Sequence, residues 1–297
     1  MKKKVTSVLA VMVILTGLGI FVYPIVSEQW SLYCQNKAIT TYEENIVQLE
    51  DEDLKTPWLA AEAYNEKITC NTFHGDAFAL EEENAQDEEY WSLLNVGNNG
   101  IMGYISIPQI NQKLPIYHGT SDLVLQTGVG HLKGTKLPIG GSGSHSVLVG
   151  HRGLPNADIF SGINKLEEGD RFYIHVLNQV LAYEVDQVLP MVPKDDIETL
   201  TSALQNVEGK DYVTLFTCTP YGVNSHRLLV RGIRVEYNGE DDAVKETEIS
   251  AQAVKESVQN YYMFYVMAAA AGIVVSIVLI KKLYSGKRSK EEKNEKV

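Results

Sequence analysis

Residues 213–232 read Val-Thr-Leu-Phe-Thr-Cys-Thr-Pro-Tyr-Gly-Val-Asn-Ser-His-Arg-Leu-Leu-Val-Arg-Gly. An apolar, β-rich run ends on Cys218, a segment of turn residues follows, and a second apolar run begins at Arg227. Apolar β-branched runs separated by Gly, Pro and Asn are typical of short strands joined by turns. The stretch therefore predicts two strands, and a hairpin-like return between them could bring Arg227 to the strand end that carries Cys218.

A third apolar run lies upstream and ends on a histidine. Residues 147–153 read Val-Leu-Val-Gly-His-Arg-Gly. Since alternate side chains of a strand share one face, Phe216 lines up with Cys218, and Val149 lines up with His151. If the two strands are neighbours in a sheet, Cys218 and His151 converge at one end of it.

Cysteine, histidine and arginine at strand ends are suited to acyl transfer through a thioester. The thiolate of Cys218 would be the nucleophile, and the imidazole of His151 would move protons to and from the reacting groups. The guanidinium of Arg227 would stabilise the oxyanion of the tetrahedral intermediate. A buried structural cysteine is the alternative, because free cysteine is among the most buried residue types.

The other basic candidates fit structural roles better. Arg152 and Arg231 are expected to form structural ion pairs. His226 should point to the face opposite Arg227, because the two residues are consecutive in one strand. The remaining histidines near glycines, hydroxyl residues or loops are expected to be structural or exposed: His118, His131 and His145.

Short β-branched runs alternate with Gly, Pro and Asn in the central part of the chain. They occupy residues 102–107, 146–149, 171–177, 181–189, 211–217 and 227–237. This spacing predicts a mainly β fold, a barrel or a sandwich, with helical turns at 157–166 and 195–204. The preceding region is helical and acidic in composition, with apolar positions at helix-like spacing in 54–68.

Two apolar runs flank this central part. The first, residues 5–26, follows the basic residues 1–4 and precedes no Ala-x-Ala-like cleavage site, which indicates an uncleaved anchor. The second, residues 261–280, carries no charge and is followed by the basic tail 281–297. Both runs are long enough to cross a bilayer, and the positive-inside rule puts both termini in the cytoplasm. The chain between them, including a polar spacer at 239–260, is expected outside the cell.

Charge and cysteine content exclude two classes of protein. The net charge of −12 argues against nucleic-acid binding, because neutralising phosphates requires clustered Lys and Arg. The three cysteines, Cys34, Cys70 and Cys218, are too few for a disulfide-stapled scaffold. Cys34 and Cys70 could pair and leave Cys218 as the free thiol, or both could stay unpaired. Acyl transfer through a thioester needs neither a metal nor an organic cofactor, and no metal-ligand spacing such as His-Glu-x-x-His or Cys-x-x-Cys occurs, so no cofactor is expected.

Four segments together resemble the motifs of class C, pilin-polymerising sortases. They are Thr217 through Gly232, Gly-His-Arg-Gly-Leu-Pro at 150–155, Gly-Tyr-Ile-Ser-Ile-Pro at 103–108, and Leu-Pro-Ile-Tyr-His-Gly-Thr at 114–120. These motifs are long, ordered and mutually consistent. The resemblance implies a sortase-type closed β-barrel at 96–238 with short helices. It also implies that Cys218 is the nucleophile, His151 the acid/base and Arg227 the substrate-orienting, oxyanion-stabilising cation.

Class C sortases also carry a flexible lid whose Asp-Pro-aromatic motif plugs the active site. The similar segment in this chain is Asp76-Ala77-Phe78, within an N-terminal helical region at 27–95. The resemblance implies that Asp76 pairs with Arg227 and that Phe78 covers Cys218. Ala77 replaces the usual proline, which removes a constraint on φ and makes docking of the lid tip cost more entropy.

On this resemblance, the chain is a membrane-anchored cysteine transpeptidase on the outer face of a Gram-positive cell. It would recognise a Leu-Pro-x-Thr-Gly-like sorting signal and cleave it after Thr, holding the acyl group on Cys218 as a thioester. A lysine amine of the next pilin subunit would resolve the thioester into an isopeptide bond. The implied partners are therefore pilin subunits, and not nucleic acid.

Several alternatives stay open at the level of the sequence. A sortase that attaches proteins to peptidoglycan and a cysteine hydrolase that uses water could both use these residues. A non-enzymatic surface or assembly scaffold is the alternative from a different class. The lid segment could be an ordinary acidic linker, and Thr56-Pro57-Trp58 is a rival anchor that lacks the aspartate.

Overall fold

The computed structural model describes residues 2–68, 76–78, 87–154, 157–239 and 241. Within the first helix, it describes side chains at residues 16, 17, 19, 20, 22–24 and from 26 onward. The chain divides into two compact units, Met1–Asn238 and Gly239–Val297. Every element below belongs to the first unit.

The N-terminal part of this unit is helical. Helix α1 spans Lys2–Val47, α2 spans Asp51–Lys67 and α3 spans Glu88–Ser92. Acidic residues fill the first turn of α2, where carboxylates interact favourably with the positive end of the helix dipole. Asp87 caps α3, because its Oδ1 accepts a hydrogen bond from the backbone N–H of Tyr90 at 3.2 Å.

In the described part of the chain, eight strands close into a barrel. The strands are β1 (Ile101–Ile107), β2 (Gln112–His118), β3 (Val129–His131), β4 (Ser144–Val149), β5 (Arg171–Val176), β6 (Gln179–Pro193), β7 (Asp211–Thr219) and β8 (His226–Val235). Their order around the barrel is β1-β2-β3-β4-β7-β8-β6-β5. The pairs β2–β3 and β4–β7 are parallel, and the other pairs are antiparallel. Helix α4 (Asp122–Thr127) connects β2 to β3, and α5 (Ile197–Ala203) connects β6 to β7.

Both faces of β4 and β7 are buried. Leu148 and Leu215 belong to the main core of the barrel. Val149 and Phe216, which point to the opposite face, pack in a second cluster with Leu200 of α5. Because alternate residues share a face, Cys218 lies in phase with Phe216, on the face that the helices cover.

The C-terminal end of α1 packs on the barrel through polar contacts as well as apolar ones. The hydroxyl of Tyr42 donates to the carbonyl oxygen of Met102 at 3.1 Å and accepts from the backbone N–H of Leu177 at 2.7 Å. The hydroxyl of Tyr104 donates to Glu43 Oε1 at 2.6 Å. Burial raises the pKa of Tyr42, which keeps this hydroxyl available as a donor.

The predicted mainly β, closed-barrel architecture with short helices is confirmed. The helical turns predicted at 195–204 are confirmed as α5, and those predicted at 157–166 are confined to one short 3₁₀ turn, Ile163–Lys165. Phe160 of this segment packs its ring where a Cβ on Gly150 would lie, and its N–H donates to the carbonyl oxygen of His151 at 2.9 Å. The apolar residues of this segment therefore pack against the end of β4 and do not form one face of a helix.

In the described part of the chain, no helix has the length and apolar character needed to span a bilayer. The predicted span at 5–26 falls on the first half of α1, and the one at 261–280 lies outside the described residues, so neither is confirmed. Cys34 and Cys218 are free thiols, and Cys70 lies outside the described residues.

Candidate active site

The hairpin of β7 and β8 places Cys218 directly opposite Arg227. The two residues are paired in the antiparallel register of these strands. Backbone carbonyls fix the guanidinium of Arg227, because its Nη1 donates to the carbonyl oxygens of Asn224 and His226, both at 2.9 Å. Asn224 lies in the connecting turn with a φ of 59°, a left-handed conformation that asparagine tolerates better than most residues.

The parallel pairing of β4 with β7 brings His151 to the same end of the barrel. Val149 is the register partner of Phe216, and the N–H of Gly150 donates to the carbonyl oxygen of Phe216 at 3.1 Å. The hydroxyl of Thr217 returns a hydrogen bond of 2.6 Å to the carbonyl oxygen of Gly150. His151, which follows the end of β4, thus lies at the same end of the barrel as Cys218, which comes just before the end of β7.

Three residues from the helical N-terminal region occupy this site. Arg227 Nε donates to Asp76 Oδ1 at 2.7 Å, and Arg227 Nη2 donates to Asp76 Oδ2. The Phe78 ring stacks on the His151 ring with centroids 5.3 Å apart and an interplanar angle of 26°. The Arg227 guanidinium carbon lies 5.3 Å from the Phe78 centroid. Ala77, between them, is 1% exposed, so this segment is docked on the barrel.

The electrostatics of this state disfavour a reactive thiolate. Burial raises the pKa of Cys218 to about 11; Arg227 opposes this rise and Asp76 adds to it. Burial lowers the pKa of His151, and Asp122 of α4 offsets part of that shift. Burial alone would lower the pKa of Arg227, but its hydrogen bonds to Asp76 raise it overall. At neutral pH the arrangement is therefore a protonated thiol, a neutral imidazole and an arginine whose charge is already compensated.

The rival anchor Thr56-Pro57-Trp58 does not reach the site. It lies inside α2, where Trp58 Nε1 donates to Glu62 at 3.0 Å.

The remaining basic residues divide into confirmed and corrected predictions. Arg231 pairs with Asp186, with Nη2 and Oδ2 2.8 Å apart, as predicted. The predicted ion pair of Arg152 is wrong within the described residues, because its Nη1 donates to the hydroxyl of Thr219 at 3.2 Å and no carboxylate pairs with it. The histidines predicted to be structural are buried and bonded at both ring nitrogens: His118, His131 and His145.

Three contributors to the site were not predicted as site residues from the sequence. Phe216 supports the Phe78 ring at a centroid distance of 6.0 Å, Thr217 fixes the backbone before His151, and Asp122 acts on the His151 charge. Strand alternation could have identified Phe216, but the effect of Asp122 depends on tertiary packing. Among the described residues, no group of three or more His, Cys, Asp or Glu is placed to hold a metal ion.

Comparisons with known proteins agree with this architecture. A family model described as a sortase domain matches residues 105–235. The crystal structure of sortase C1 from Streptococcus agalactiae is 46% identical with a TM-score of 0.61, and the match covers 68% of this chain and 100% of that chain. A sortase C from Streptococcus pneumoniae, described with regard to its pilin substrate specificity, is 40% identical with a TM-score of 0.58, over 68% of this chain and 97% of that one. The curated sortase D of Bacillus subtilis is 34% identical over 136 residues, 45% of this chain and 63% of that protein.

The fold and the site define a closed β-barrel with a cysteine, a histidine and an arginine at one end. The matches to these two solved structures each cover 68% of this chain, which is more than the barrel alone. The chain belongs to the sortase family, and these structures assign it to class C. Sortases are cysteine transpeptidases. The chain spans only 40% to 63% of the length of three curated sortases that it matches.

Proposed function

We propose that this chain is a pilin-polymerising cysteine transpeptidase, which cleaves a Leu-Pro-x-Thr-Gly-like sorting signal between Thr and Gly. The observation that carries the proposal is the meeting of Cys218, His151 and Arg227 at one end of the barrel, with Asp76 and Phe78 seated on two of them. A purely structural cysteine has no need of a histidine and a charged arginine around it.

In the first half-reaction, the neutral imidazole of His151 accepts the proton of the Cys218 thiol, and the resulting thiolate attacks the carbonyl carbon of the threonine. The carbonyl electrons move to oxygen, and the guanidinium of Arg227, held by two backbone carbonyls, stabilises the resulting oxyanion. When the intermediate collapses, the bond from the threonine carbonyl to the glycine nitrogen breaks. The imidazolium of His151 gives its proton to the departing amine, and a thioester on Cys218 remains.

In the second half-reaction, a lysine amine of the next pilin subunit attacks the thioester. The neutral imidazole of His151 accepts a proton from the attacking nitrogen. The thiolate of Cys218 then leaves, so that an isopeptide bond forms and the nucleophile is regenerated. Transfer to an amine and transfer to water start from the same acyl-enzyme, and the products distinguish them.

The segment Asp76-Ala77-Phe78 acts in this proposal as the tip of a lid. It holds the Arg227 charge and covers the His151 ring, so the sorting signal can reach these groups only after the segment leaves. Departure of Asp76 removes a charge that raises the Cys218 pKa and leaves the opposing charge of Arg227 in place. Opening therefore both exposes the thiol and favours its ionised form.

The pilin acceptor and the location are supported by likeness and by sequence. The class C relatives and the docked lid segment favour polymerisation over attachment to peptidoglycan. The apolar runs at 5–26 and 261–280, with basic residues on their outer sides, support an anchored protein whose barrel lies outside the cell and whose termini are cytoplasmic.

The proposal is tested by intact-mass analysis of the full chain, purified in detergent and incubated with a Leu-Pro-x-Thr-Gly peptide. The chain is compared with Cys218→Ala and with the lid variant Asp76→Ala/Phe78→Ala. We expect an acyl adduct that requires Cys218, increases in the lid variant and is discharged by a pilin-derived lysine peptide into a conjugate. Absence of any adduct in the lid variant would refute the assignment to sorting signals, and discharge to the free acid alone would indicate a hydrolase.

A further inference from the structure

Arg152 differs from the other arginines of the described chain in its partners. Four of the five described arginines pair with a carboxylate: Arg171 with Glu184, Arg227 with Asp76, Arg231 with Asp186 and Arg234 with Asp211. Arg152 has no such partner among the described residues, although the protein carries a net charge of −12. Because no carboxylate of the described chain compensates its charge, the Arg152 guanidinium can pair with a negatively charged group of a ligand.

The guanidinium of Arg152 lies next to the nucleophile strand. Arg152 follows His151 directly, and its Nη1 donates to the hydroxyl of Thr219, the residue after Cys218, at 3.2 Å. This bond fixes one nitrogen of the guanidinium at the end of β7. The neighbouring Gly153 holds the backbone in place with a φ of +83°, and a Cβ there would lie 2.7 Å from the ring of Tyr221.

The rest of the Arg152 donor set is unused. Its Nε is buried and has no hydrogen-bond partner in the described structure. A buried donor without a partner costs free energy, and the planar fork of a guanidinium matches the geometry of a carboxylate. Arg227, by contrast, already donates to two backbone carbonyls and to Asp76.

The described lid segment, residues 76–78, does not supply the missing partner. The only acidic side chain in the docked segment 76–78 is Asp76, and its carboxylate is bound to Arg227. In the closed state Arg152 therefore keeps an uncompensated charge beside the site. A ligand that enters when the lid leaves finds this guanidinium bonded to Thr219, the residue that follows Cys218.

We propose that Arg152 is a specificity-determining residue, which favours sorting signals that carry an acidic side chain beside the scissile bond. The inference rests on the proposed transpeptidase function. The carboxylate of the substrate compensates the guanidinium charge of Arg152, while the hydroxyl of Thr219 holds Nη1 in place. Arg152 takes no part in bond making, so it acts on the choice of substrate and not on the chemical step.

The test uses the full chain in detergent with the Asp76→Ala/Phe78→Ala lid substitutions and two pairs of isosteric peptides. One pair carries Glu or Gln at the variable position of Leu-Pro-x-Thr-Gly, and the other carries Glu or Gln directly after the Gly. Since charged hydrogen bonds are among the stronger ones, we expect kcat/KM to be about tenfold higher for Glu than for Gln in at least one pair. In Arg152→Gln the two members of that pair should be processed at nearly equal rates.

Arg171→Gln is the matched control, because it removes the same charge from β5, where the guanidinium is paired with Glu184. It should leave the Glu preference intact, and Arg152→Lys should keep a reduced preference. Equal processing of the Glu and Gln peptides by the lid variant with Arg152 intact would overturn the inference, whatever the Arg152 variants do. The proposed function would still stand. A preference that survives in Arg152→Gln would overturn the inference too. If no peptide forms an acyl-enzyme, the proposed function fails, and this inference fails with it.

Discussion

Asp76→Asn is the substitution that most directly tests the closed state. Asn keeps the size and polarity of the side chain but removes the negative charge that Arg227 binds. The Arg227 and Asp76 side chains are 5% and 12% exposed, so their interaction is poorly screened by solvent. We expect the variant to fold normally and to shift the lid toward the open state.

The size of the shift follows from the bonds that are weakened. Hydrogen bonds that involve charged groups contribute about 1.5–3 kcal/mol each. Arg227 and Asp76 both regain hydration when the lid opens. We therefore assign about 2 kcal/mol of closed-state stability to the Asp76 carboxylate, less than the sum of its two hydrogen bonds. Since about 1.4 kcal/mol corresponds to a factor of ten, the open-to-closed ratio should rise about 30-fold.

The thiol itself changes in the same direction. Burial and the Asp76 charge raise the Cys218 pKa to about 11, and Arg227 opposes them. Loss of the Asp76 charge lowers this pKa, so more thiolate is present at any pH below it. The rate of alkylation of Cys218 by iodoacetamide, followed by peptide mass mapping because Cys34 is also a free thiol, should rise at least about 30-fold, in proportion to the open fraction.

Asp186→Asn is the matched control for this experiment. Asp186 accepts from Arg231 Nε at 3.0 Å and from Nη2 at 2.8 Å, in the same two-bond arrangement, but it does not contact the lid segment. Its substitution should leave the alkylation of Cys218 unchanged. An unchanged rate in Asp76→Asn, or an equal rise in Asp186→Asn, would refute the reasoning that the Asp76–Arg227 pair holds the site closed.

Three further outcomes are expected. Ala77→Pro should slow alkylation of Cys218 about two- to fivefold, because a proline that fits the docked backbone stabilises it by about 0.4–1 kcal/mol; faster alkylation would show that the docked backbone rejects proline. Thr217→Val should cost about 1–3 kcal/mol in the free energy of unfolding, because the buried Gly150 carbonyl loses its donor, and an unchanged melting temperature would contradict this. In the unmodified chain the alkylation rate of Cys218 should keep rising with pH toward about 11, because burial keeps the thiol protonated below that value; a plateau near neutral pH would mean that the thiolate is already formed.

The parts of the site that lie in one hairpin or follow strand alternation could be predicted from the sequence. Cys218 and Arg227 are joined by a short turn, so local turn residues were sufficient to predict their pairing. His151 required one further assumption, that its strand neighbours the cysteine strand, and the parallel pairing of β4 with β7 satisfies it. Both inferences rest on backbone geometry with a period of two residues.

The parts that depend on partners distant in sequence could not be predicted. Strand β2 contains Pro115 and strand β3 has only three residues, so neither produces a strand-like run. The segment 157–166 has apolar residues at helical spacing, but the backbone N–H of Phe160 is used by His151 outside any helix. Arg152 and Arg231 look alike in sequence, and only the fold decides that Asp186 reaches one of them and that no described carboxylate reaches the other.

The parallel pairing of β4 with β7 also affects when the active site forms during folding. The hydrogen bond that aligns the two strand ends joins Thr217 to Gly150 across 67 positions of chain. Pairings between distant, parallel strands form late in folding, because a long loop must close before any contact compensates for the lost entropy. A newly synthesised chain therefore carries a cysteine and a histidine that are still apart, and the two come together only when its barrel closes. In refolding experiments, Cys218 should acquire its native alkylation profile together with the barrel and not before it.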